Sequence, residues 1–218
     1  GDIRLQIRKL SGGRLNIDDI QINPYAGIST DNNHTAFGNP SNAATDLAFP
    51  NNYLLLKPQY HLAYNENKGT AAWVAWHLDN NDLGTTPRCD CFATDVQIPS
   101  SMYRASSSSY TGSGFDRGHM VPSSQRNNTT TNNAATFLMS NIMPQSPNLN
   151  QITWNNLEQY CLNLVNAGYE LYTYSGGSGV GGTGSNGTST TIASGNITVP
   201  SHYWKIVVVL PNGTNDIG

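Results

Sequence analysis

The sequence predicts an α+β domain with a central antiparallel β-sheet flanked by helices. Two alternating, aromatic-rich segments, Tyr53–Tyr64 and Ala71–Leu78, are typical of strands, and a Lys68-Gly69 turn joins them as a hairpin. Apolar residues recur at three- and four-residue steps across Gln151–Ala167, which predicts a helix that Gly168 ends. Strands and helix are therefore expected to share one core.

The composition is that of one folded domain with at most a short appendage. The chain has 218 residues and a mass of 23.6 kDa, and 11% of its residues are charged while 37% are hydrophobic, which argues against disorder. The net charge of −3 and the pI of about 5.9 exclude a broad positive face. A polyanion would have to be held by a few arginines and a metal ion. No apolar run approaches the roughly 20 residues of a membrane span.

The first 50 residues divide into two parts. Gly1–Ile22 contains two alternating segments around Ser11-Gly12-Gly13, which indicates a hairpin. It is either a terminal hairpin of the main domain or the remnant of a preceding β-sandwich module. Asn23–Pro50 is polar and rich in turn formers, so we expect a long ordered loop at the start of a main domain at 23–218.

The remaining segments alternate between loops and strands. Asp79–Ser113 is predicted to be mostly loop, and Tyr169–Tyr174 a strand. Ser175–Asn196 is crowded with Gly, Ser and Thr, which is typical of a flexible loop or of two short strands across a glycine-rich turn. Tyr203–Leu210 is the clearest buried strand, and we expect nothing after it to cover its edge.

The three cysteines form no recognisable framework. Cys89 and Cys91 are so close in sequence that a bridge between them is not expected, and either could pair with Cys161 or stay a free thiol. Cys161 lies on the apolar side of the predicted helix, which indicates a core position. No set of four ligands has the spacing of a zinc site.

One stretch, Phe115–Glu158, carries residue types that suit hydrolysis of a phosphodiester. That reaction needs an activated water, a cation for the pentacovalent charge and help for the leaving oxygen. His119 can be the base, because a neutral imidazole with a pKa of about 6.5 accepts a proton at neutral pH. Asn150 can hold Mg²⁺ through its carbonyl oxygen while water fills most of the shell. On one continuous helix, Glu158 would lie about 80° around and about 12 Å along the axis, where it could hold those waters.

The ordered motifs in and around this stretch resemble those of a known family. They are Asp116-Arg117-Gly118-His119, Pro122, Ser140-Asn141-Ile142-Met143-Pro144-Gln145, Asn150, Trp154 and Leu157-Glu158, with Tyr53-Leu54-Leu55-Leu56-Lys57-Pro58, Trp73-Val74-Ala75-Trp76, Arg88, Val199-Pro200 and Trp204-Lys205 outside it. The set is similar to that of the sugar-non-specific DNA/RNA endonucleases, the secreted bacterial ββα-metal nucleases of the Serratia and Anabaena type. The resemblance covers the chain from about Asn39 to Leu210.

The resemblance implies a fold, a reaction and a metal. A ββα-metal motif would present His119 and Asn150 across a cleft, and DNA and RNA would be hydrolysed outside the cell to 5′-phosphorylated oligonucleotides. It makes His119 the general base and Asn150 the sole direct protein ligand of Mg²⁺, with Mn²⁺ as a second candidate. Glu158 would orient the waters of the ion.

Three further residues receive supporting roles from the resemblance. Arg88 would stabilise developing charge on the phosphate, which a planar bidentate guanidinium suits. Asn141 would position His119 or the scissile phosphate. Arg117 would brace the site or contact the nucleic-acid backbone.

The chain departs from the family pattern in two places. Leu162 stands where members commonly have an arginine that contacts phosphate, so one electrostatic contact is missing. Members also usually continue beyond the last strand with further strands and a helix, whereas this sequence stops at Gly218, so a truncated C-terminus is expected.

Several of these residues have a structural alternative. Asn150 could be a helix N-cap, Asn141 a turn or backbone-capping residue, and Arg117 the partner in an ion pair. Asp116 is expected to tie down its own loop. The other histidines lack a matching constellation and are expected to be structural: His34, His61, His77 and His202.

Two other functions compete with the nuclease interpretation. One is an inactive nuclease-fold module that binds nucleic acid without cleaving it, against which the acidic pI and Leu162 weigh. The other is an HNH-type nuclease, which would need a metal-binding histidine near Asn150 that the sequence lacks. The sequence predicts neither the oligomeric state nor a preference for single or double strands.

Overall fold

A six-stranded antiparallel sheet forms the centre of the fold. The computed structural model describes residues 4–6 and 32–211. Its strands are β1 (Arg4–Gln6), β2 (Tyr53–Leu56), β3 (His61–Asn65), β4 (Thr70–Leu78), β5 (Asp116–His119), β6 (Ile142–Gln145), β7 (Tyr169–Ser178), β8 (Gly182–Gly184), β9 (Gly187–Ser189), β10 (Thr191–Ile192), β11 (Ile197–Thr198) and β12 (His202–Pro211). The central sheet has the order β1-β12-β7-β4-β3-β2, and three separate pairs are β5 with β6, β8 with β9, and β10 with β11.

Helices are short apart from one. They are α1 (Thr130–Ala135) and α2 (Asn155–Asn166), and a π-helical turn at Leu149–Trp154 leads directly into α2. Single 3-10 turns occupy Pro50–Asn52, Glu66–Lys68, Asn80–Asp82, Ser107–Tyr110, Ser123–Gln125, Met139–Asn141 and Ala193–Gly195. Over the described residues, no helix combines the length and the apolar character that a membrane crossing requires.

The predicted hairpin at Lys68-Gly69 is present as β3 and β4. The Asn65 side chain accepts a hydrogen bond from the Lys68 backbone N–H at 3.0 Å, and Gly69 adopts the left-handed conformation with φ +63°. A side chain at position 69 would also collide with the backbone oxygen of Asn196. Glycine is therefore required here for two separate reasons.

The single strand expected at Tyr53–Tyr64 is instead two strands, β2 and β3. Pro58 lies in the turn between them, where the Lys57 N–H donates to the Tyr60 carbonyl at 3.0 Å. Proline has no N–H for a ladder of hydrogen bonds, so a central strand could not continue through it. The alternating pattern therefore belongs to two antiparallel neighbours.

Both faces of the sheet are covered, which explains why β4 is buried along almost its whole length. On one face, Cys161 and Val165 of α2 join the core cluster that contains Trp76 and Leu171. On the other face lies the described part of the predicted long loop, residues 32–49. It supplies Ala36, Phe37 and Ala43, which pack against Trp73, Tyr172 and Tyr174.

The C-terminal half differs from expectation at two points and decides between two expected alternatives. β7 runs to Ser178 rather than ending at Tyr174, and the glycine-rich segment after it contains the β8–β9 hairpin, the second of the two alternatives. The edge of β12 is not open over Val207–Val209, because β1 pairs with it there. Apart from β1, the hairpin expected at residues 1–22 lies outside the described residues.

The cysteine expectation was wrong for two of the three residues. Cys89 and Cys91 form a disulfide within the loop between β4 and β5, and their Cα atoms are 5.1 Å apart. Asp90 between them has a positive φ of 48°, a conformation that brings its two neighbours together. Cys161 is a free thiol in the core, as its place on the helix predicted.

Candidate active site

A short β-pair and the helix that follows it build the site. β5 carries the DRGH residues and ends at His119, which pairs with Ile142 at the start of β6. Gly118 faces Gln145 so closely that any side chain at 118 would overlap the glutamine amide. The chain then turns at Ser146-Pro147 into the π-helical turn and α2. Two strands and a helix thus meet at His119.

His119 is held on both its ring and its backbone. The ring packs edge-to-face on Phe137 at 4.8 Å between centroids and lies 5.5 Å from Phe92. Its backbone carbonyl accepts a hydrogen bond from Trp154 Nε1 at 3.1 Å. Ring atom Nε2 is buried and has no hydrogen-bond partner among the described residues. The imidazole is therefore immobilised at the cleft, with Nε2 enclosed by protein.

The environment keeps this imidazole neutral. Burial, with the positive charges of Arg88 and Arg117, lowers the pKa of His119 to about 3, and Asp90 opposes the shift. A neutral imidazole at pH 7 can accept a proton, which a protonated one cannot.

Asn150 is oriented by Asp116, the first residue of β5. Asn150 Nδ2 donates to Asp116 Oδ2 at 2.9 Å, and Gln151 Nε2 donates to the same oxygen at 2.8 Å. A carboxylate only accepts, so the amide must present its NH₂ to Asp116, which leaves the carbonyl oxygen Oδ1 available as a ligand. Asp116 thus ties β5 to the start of the helix rather than only its own loop.

The N-cap interpretation of Asn150 is wrong. The cap is Ser146, whose Oγ accepts from the Leu149 N–H at 3.3 Å and whose carbonyl accepts from the Asn150 N–H at 2.9 Å. Asn150 lies within the π-helical turn, so the angle and rise expected for one continuous α-helix do not describe its relation to Glu158. π-turns are rare and frequent at functional sites.

Glu158, on the first turn of α2, has only 12% of its side chain exposed. Lys205 Nζ lies 3.8 Å from its Oε1, and this oxygen has no hydrogen-bond partner within the described part of the chain. Burial raises the pKa of Glu158 to about 7, although the charges of Lys205 and Arg88 act in the opposite direction. The carboxylate is therefore poised between its two protonation states at neutral pH.

Two arginines border the site. Arg88 Nε donates to Asp90 Oδ1 at 2.6 Å and Nη1 to Ser123 Oγ at 3.2 Å, and its guanidinium lies 4.8 Å over the Phe137 ring. The Arg117 guanidinium lies 4.3 Å over the ring of Phe92 and is exposed. Within residues 32–211 no ion pair involves Arg117, so the ion-pair alternative has no support there.

Asn141 lies apart from the cleft, fully buried below β5 and β6. Its Oδ1 accepts from the Val121 N–H at 3.0 Å, and its Nδ2 donates to the carbonyls of Val121 and Thr136 at 2.9 and 2.8 Å. These bonds fix the backbone two residues after His119. All three bonds are made to backbone groups, as the backbone-capping alternative for Asn141 predicts.

The other five residues meet at one cleft of about 460 Å³. Its lining consists of Thr86, Arg88, Arg117, His119, Pro122, Ser123, Ser124, Asn127, Asn133, Asn150, Gln151, Asn155, Glu158 and Gln159. Arg88, Arg117 and Asn150 also border an adjoining cavity of about 340 Å³. A phosphate in the cleft could therefore contact His119 and both arginines, with room beyond for a flanking nucleotide.

The donor set fits a hydrated cation better than a protein-enclosed one. The described residues contain no group of three or more His, Cys, Asp or Glu side chains that could surround a metal. The cleft instead offers the neutral oxygen of Asn150 and the carboxylate of Glu158. Mg²⁺ keeps most of its waters and takes few protein ligands, so these two residues suit it.

Sequence analysis missed the role of Lys205, which it included only in a distant motif. Nothing in the spacing of Glu158 and Lys205 predicts their contact, because the contact arises from packing of α2 against the central sheet. It also missed Ser123, which follows the Val121-Pro122 step after β5 and binds Arg88.

Comparison with known proteins relates most of this chain to nucleases. Residues 38–218 match the family model described as DNA/RNA non-specific endonuclease. The chain is 49% identical over 177 residues to a nuclease of Nostoc sp., an alignment that covers 81% of this chain and 62% of the relative. It is 32% identical over 187 residues to Nuclease C1 of Cunninghamella echinulata var. echinulata, with coverage of 82% and 70%. Human mitochondrial Endonuclease G is 31% identical over 158 residues, with coverage of 70% and 53%.

The fold is likewise similar to a solved structure. A crystal structure of the EndoG/EndoGI complex superposes with a TM-score of 0.66 at 24% sequence identity, covering 84% of this chain and 80% of that chain. The predicted α+β class, with an antiparallel sheet and a ββα motif, is confirmed. The alignment with this chain spans less than two thirds of the length of the Nostoc and human relatives.

Proposed function

The chain belongs to the DNA/RNA non-specific endonuclease family, and we propose that it is a metal-dependent endonuclease acting on both DNA and RNA. It would hydrolyse phosphodiester bonds with little sequence preference and leave 5′-phosphorylated oligonucleotides. The observation that carries the proposal is that His119, Asn150 and Glu158 line the same cleft as two arginines. A base, a place for a cation and contacts for a phosphate are thereby within reach of one scissile bond.

His119 is the proposed general base. Its ring is fixed by Phe92 and Phe137, and the residue lines the cleft in which an attacking water would have to lie. A pKa of about 3 makes it a weak base before substrate binds. A phosphate beside Arg88 would offset one of the charges that lower this pKa, so substrate binding itself would strengthen the base.

Asn150 and Glu158 are the residues proposed to hold Mg²⁺, or Mn²⁺ in its place. The bound ion would supply positive charge that stabilises the pentacovalent phosphate. Asn150 would ligate through Oδ1, with its amide fixed by Asp116. Glu158 would accept hydrogen bonds from the hydration shell, since it lines the same cleft as Asn150.

The arginines are proposed to hold the phosphate, and Asn141 to hold the base. Asp90 and Ser123 fix the Arg88 guanidinium at the border of the cleft, where it would stabilise charge that grows on the phosphate oxygens. Arg117 would contact the backbone of the nucleic acid. Asn141 would act through the segment after His119.

Two further properties follow from these contacts. Contacts with phosphate read neither the base nor the sugar 2′-hydroxyl, so cleavage would have little sequence preference and DNA and RNA would both be accepted. We also place the activity outside the cell, and the Cys89–Cys91 disulfide supports this because disulfides persist in oxidising compartments.

Degradation of supercoiled plasmid and of a structured RNA tests the proposal. Wild-type protein should cleave both with Mg²⁺ and neither with EDTA, and His119→Ala should lose at least about a hundredfold in rate, the typical contribution of a general base. An inactive nuclease-fold module would instead bind both nucleic acids and leave them uncleaved. Cleavage by His119→Ala at the wild-type rate would remove the general-base assignment.

A further inference from the structure

Lys205 lies behind the cleft in an unusual environment. This residue of β12 has 0% of its side chain exposed, and its Nζ lies 4.3 Å from the centroid of the Trp154 ring and 5.3 Å from that of Trp76. The Glu158 carboxylate is 3.8 Å away. Nζ has no hydrogen-bond partner within the part of the chain that the structure describes.

Such an arrangement is costly if its role is only structural. An ammonium removed from water normally recovers its lost hydration through three hydrogen bonds, and here it has two aromatic faces and one carboxylate. Accordingly, burial lowers the pKa of Lys205, and the negative charge of Glu158 opposes that shift. An apolar side chain of the same length would fill this space at a lower desolvation cost. A lysine here therefore calls for a reason beyond packing.

The reason lies in the gap between the two charges. At 3.8 Å, Nζ and Oε1 are too far apart for a hydrogen bond, but close enough for strong attraction in a buried site. A direct hydrogen bond would occupy a lone pair of the carboxylate. Lys205 compensates the charge of Glu158 without using any of its lone pairs.

We propose that Lys205 is a positioning residue for Glu158: from behind the cleft it stabilises the ionised carboxylate, so that Glu158 can accept hydrogen bonds from the hydrated divalent cation. The inference rests on the proposed function, because it gives Glu158 that task. Trp154 connects this unit to the base, since the ring that covers Lys205 also donates to the His119 carbonyl.

A double-mutant cycle between positions 205 and 158 tests the inference. Lys205→Met keeps the length and removes the charge, Lys205→Arg keeps the charge, and Glu158→Gln removes the carboxylate. The affinity for Mn²⁺, measured by electron paramagnetic resonance without substrate, is the primary readout. The rate of plasmid cleavage and thermal unfolding are measured in parallel.

The expected result is coupling between the two sites. Lys205→Met should weaken Mn²⁺ binding by about tenfold or more, as loss of an outer-shell partner typically does, while remaining folded. Lys205→Arg should recover at least part of the affinity. In the Glu158→Gln background, Lys205→Met should change the affinity by less than about twofold, because its partner is already absent.

Two results would overturn this inference and leave the proposed function intact. One is a wild-type affinity for Mn²⁺ in Lys205→Met. The other is an equal loss of Mn²⁺ affinity on Lys205→Met with and without the Glu158 carboxylate, which would assign the lysine a structural role. If Lys205→Met is unfolded, Lys205→Arg is decisive, and an arginine variant that is folded but fails to bind Mn²⁺ also overturns it. A wild-type protein that neither binds Mn²⁺ nor cleaves would overturn the proposed function itself.

Discussion

Trp154 Nε1 donates a hydrogen bond to the backbone carbonyl of His119 at 3.1 Å, and both residues are buried. One residue ends the π-helical turn and the other ends β5, so this bond fixes the helical side of the cleft against the strand that carries the base. We expect the separation of His119 and Asn150 to depend on it.

Trp154→Phe should therefore impair catalysis more than its effect on stability explains. The His119 carbonyl would lose this buried donor and the smaller ring would leave a cavity, so the free energy of unfolding should fall by about 1–3 kcal/mol. Misplacement of the base should lower kcat/KM between about tenfold and a hundredfold. Trp73→Phe is the matched control, because Trp73 Nε1 donates to Ser41 Oγ at 2.8 Å on the opposite face of the sheet. Equal loss of activity in both variants would contradict this account.

The raised pKa of Glu158 predicts a pH-dependent stability difference in EDTA. The folded state keeps a proton on Glu158 up to about pH 7, whereas the unfolded chain releases it near pH 4.5. Wild-type stability from this group should therefore fall as pH rises from about 4.5 to 7. A glutamine at position 158 does not titrate, so the free energy of unfolding of Glu158→Gln should rise relative to that of the wild type across that window, by up to about 3 kcal/mol. Denaturant unfolding at pH 4.5 and 7.5 measures it, and a constant difference would show that burial does not control this carboxyl.

The guanidinium of Arg88 should contribute through its geometry as well as its charge. Arg88→Ala should lower kcat by about a hundredfold, in the range found when one donor to a transition-state oxyanion is removed. Arg88→Lys should restore only part of the activity, since an ammonium cannot bind two phosphate oxygens in a plane. Single-turnover kinetics distinguish the variants, and Arg104→Lys, outside the cleft lining, should retain wild-type rates. Full activity in Arg88→Lys would show that Arg88 contributes to kcat through its charge alone and would contradict the role of its geometry.

Gly118 should be intolerant of any side chain. A Cβ added at position 118 would overlap the buried amide of Gln145. Gly118→Ala should therefore cost about 1–3 kcal/mol of stability and displace β5 from β6. Removing the obstacle should relieve the cost: Gly118→Ala should be less destabilising in a Gln145→Ala background than in the wild type. Thermal unfolding of the four proteins measures this coupling, and additive effects would locate the strain elsewhere.

Local chemistry made part of this molecule predictable from sequence. The Lys68-Gly69 turn required a hairpin, and the DRGH and Asn150 motifs identified the family and the residues that line the cleft. Pro58 should have divided the first strand, because proline cannot continue a ladder, but the alternating pattern across it obscured that signal.

What sequence could not predict depends on contacts between distant or irregular segments. The β1–β12 pairing joins the first and last described strands, and the Lys205–Glu158 pair exists only because α2 packs against the central sheet. The π-helical turn and the Cys89–Cys91 bridge are local features. Each is uncommon, so the average conformational preferences of these residues do not predict it. Motif likeness does not separate a residue that touches substrate from one that holds the strand, so the catalytic role of Asn141 stays a prediction.

Anomalous diffraction from crystals grown with Mn²⁺ tests the central claim most directly. The account predicts a single strong peak in the cleft at about 2.1 Å from Asn150 Oδ1, with waters between it and Glu158 and with the His119 ring on the opposite wall. An anomalous peak away from Asn150, or the absence of a peak in the cleft at a saturating Mn²⁺ concentration, would contradict it.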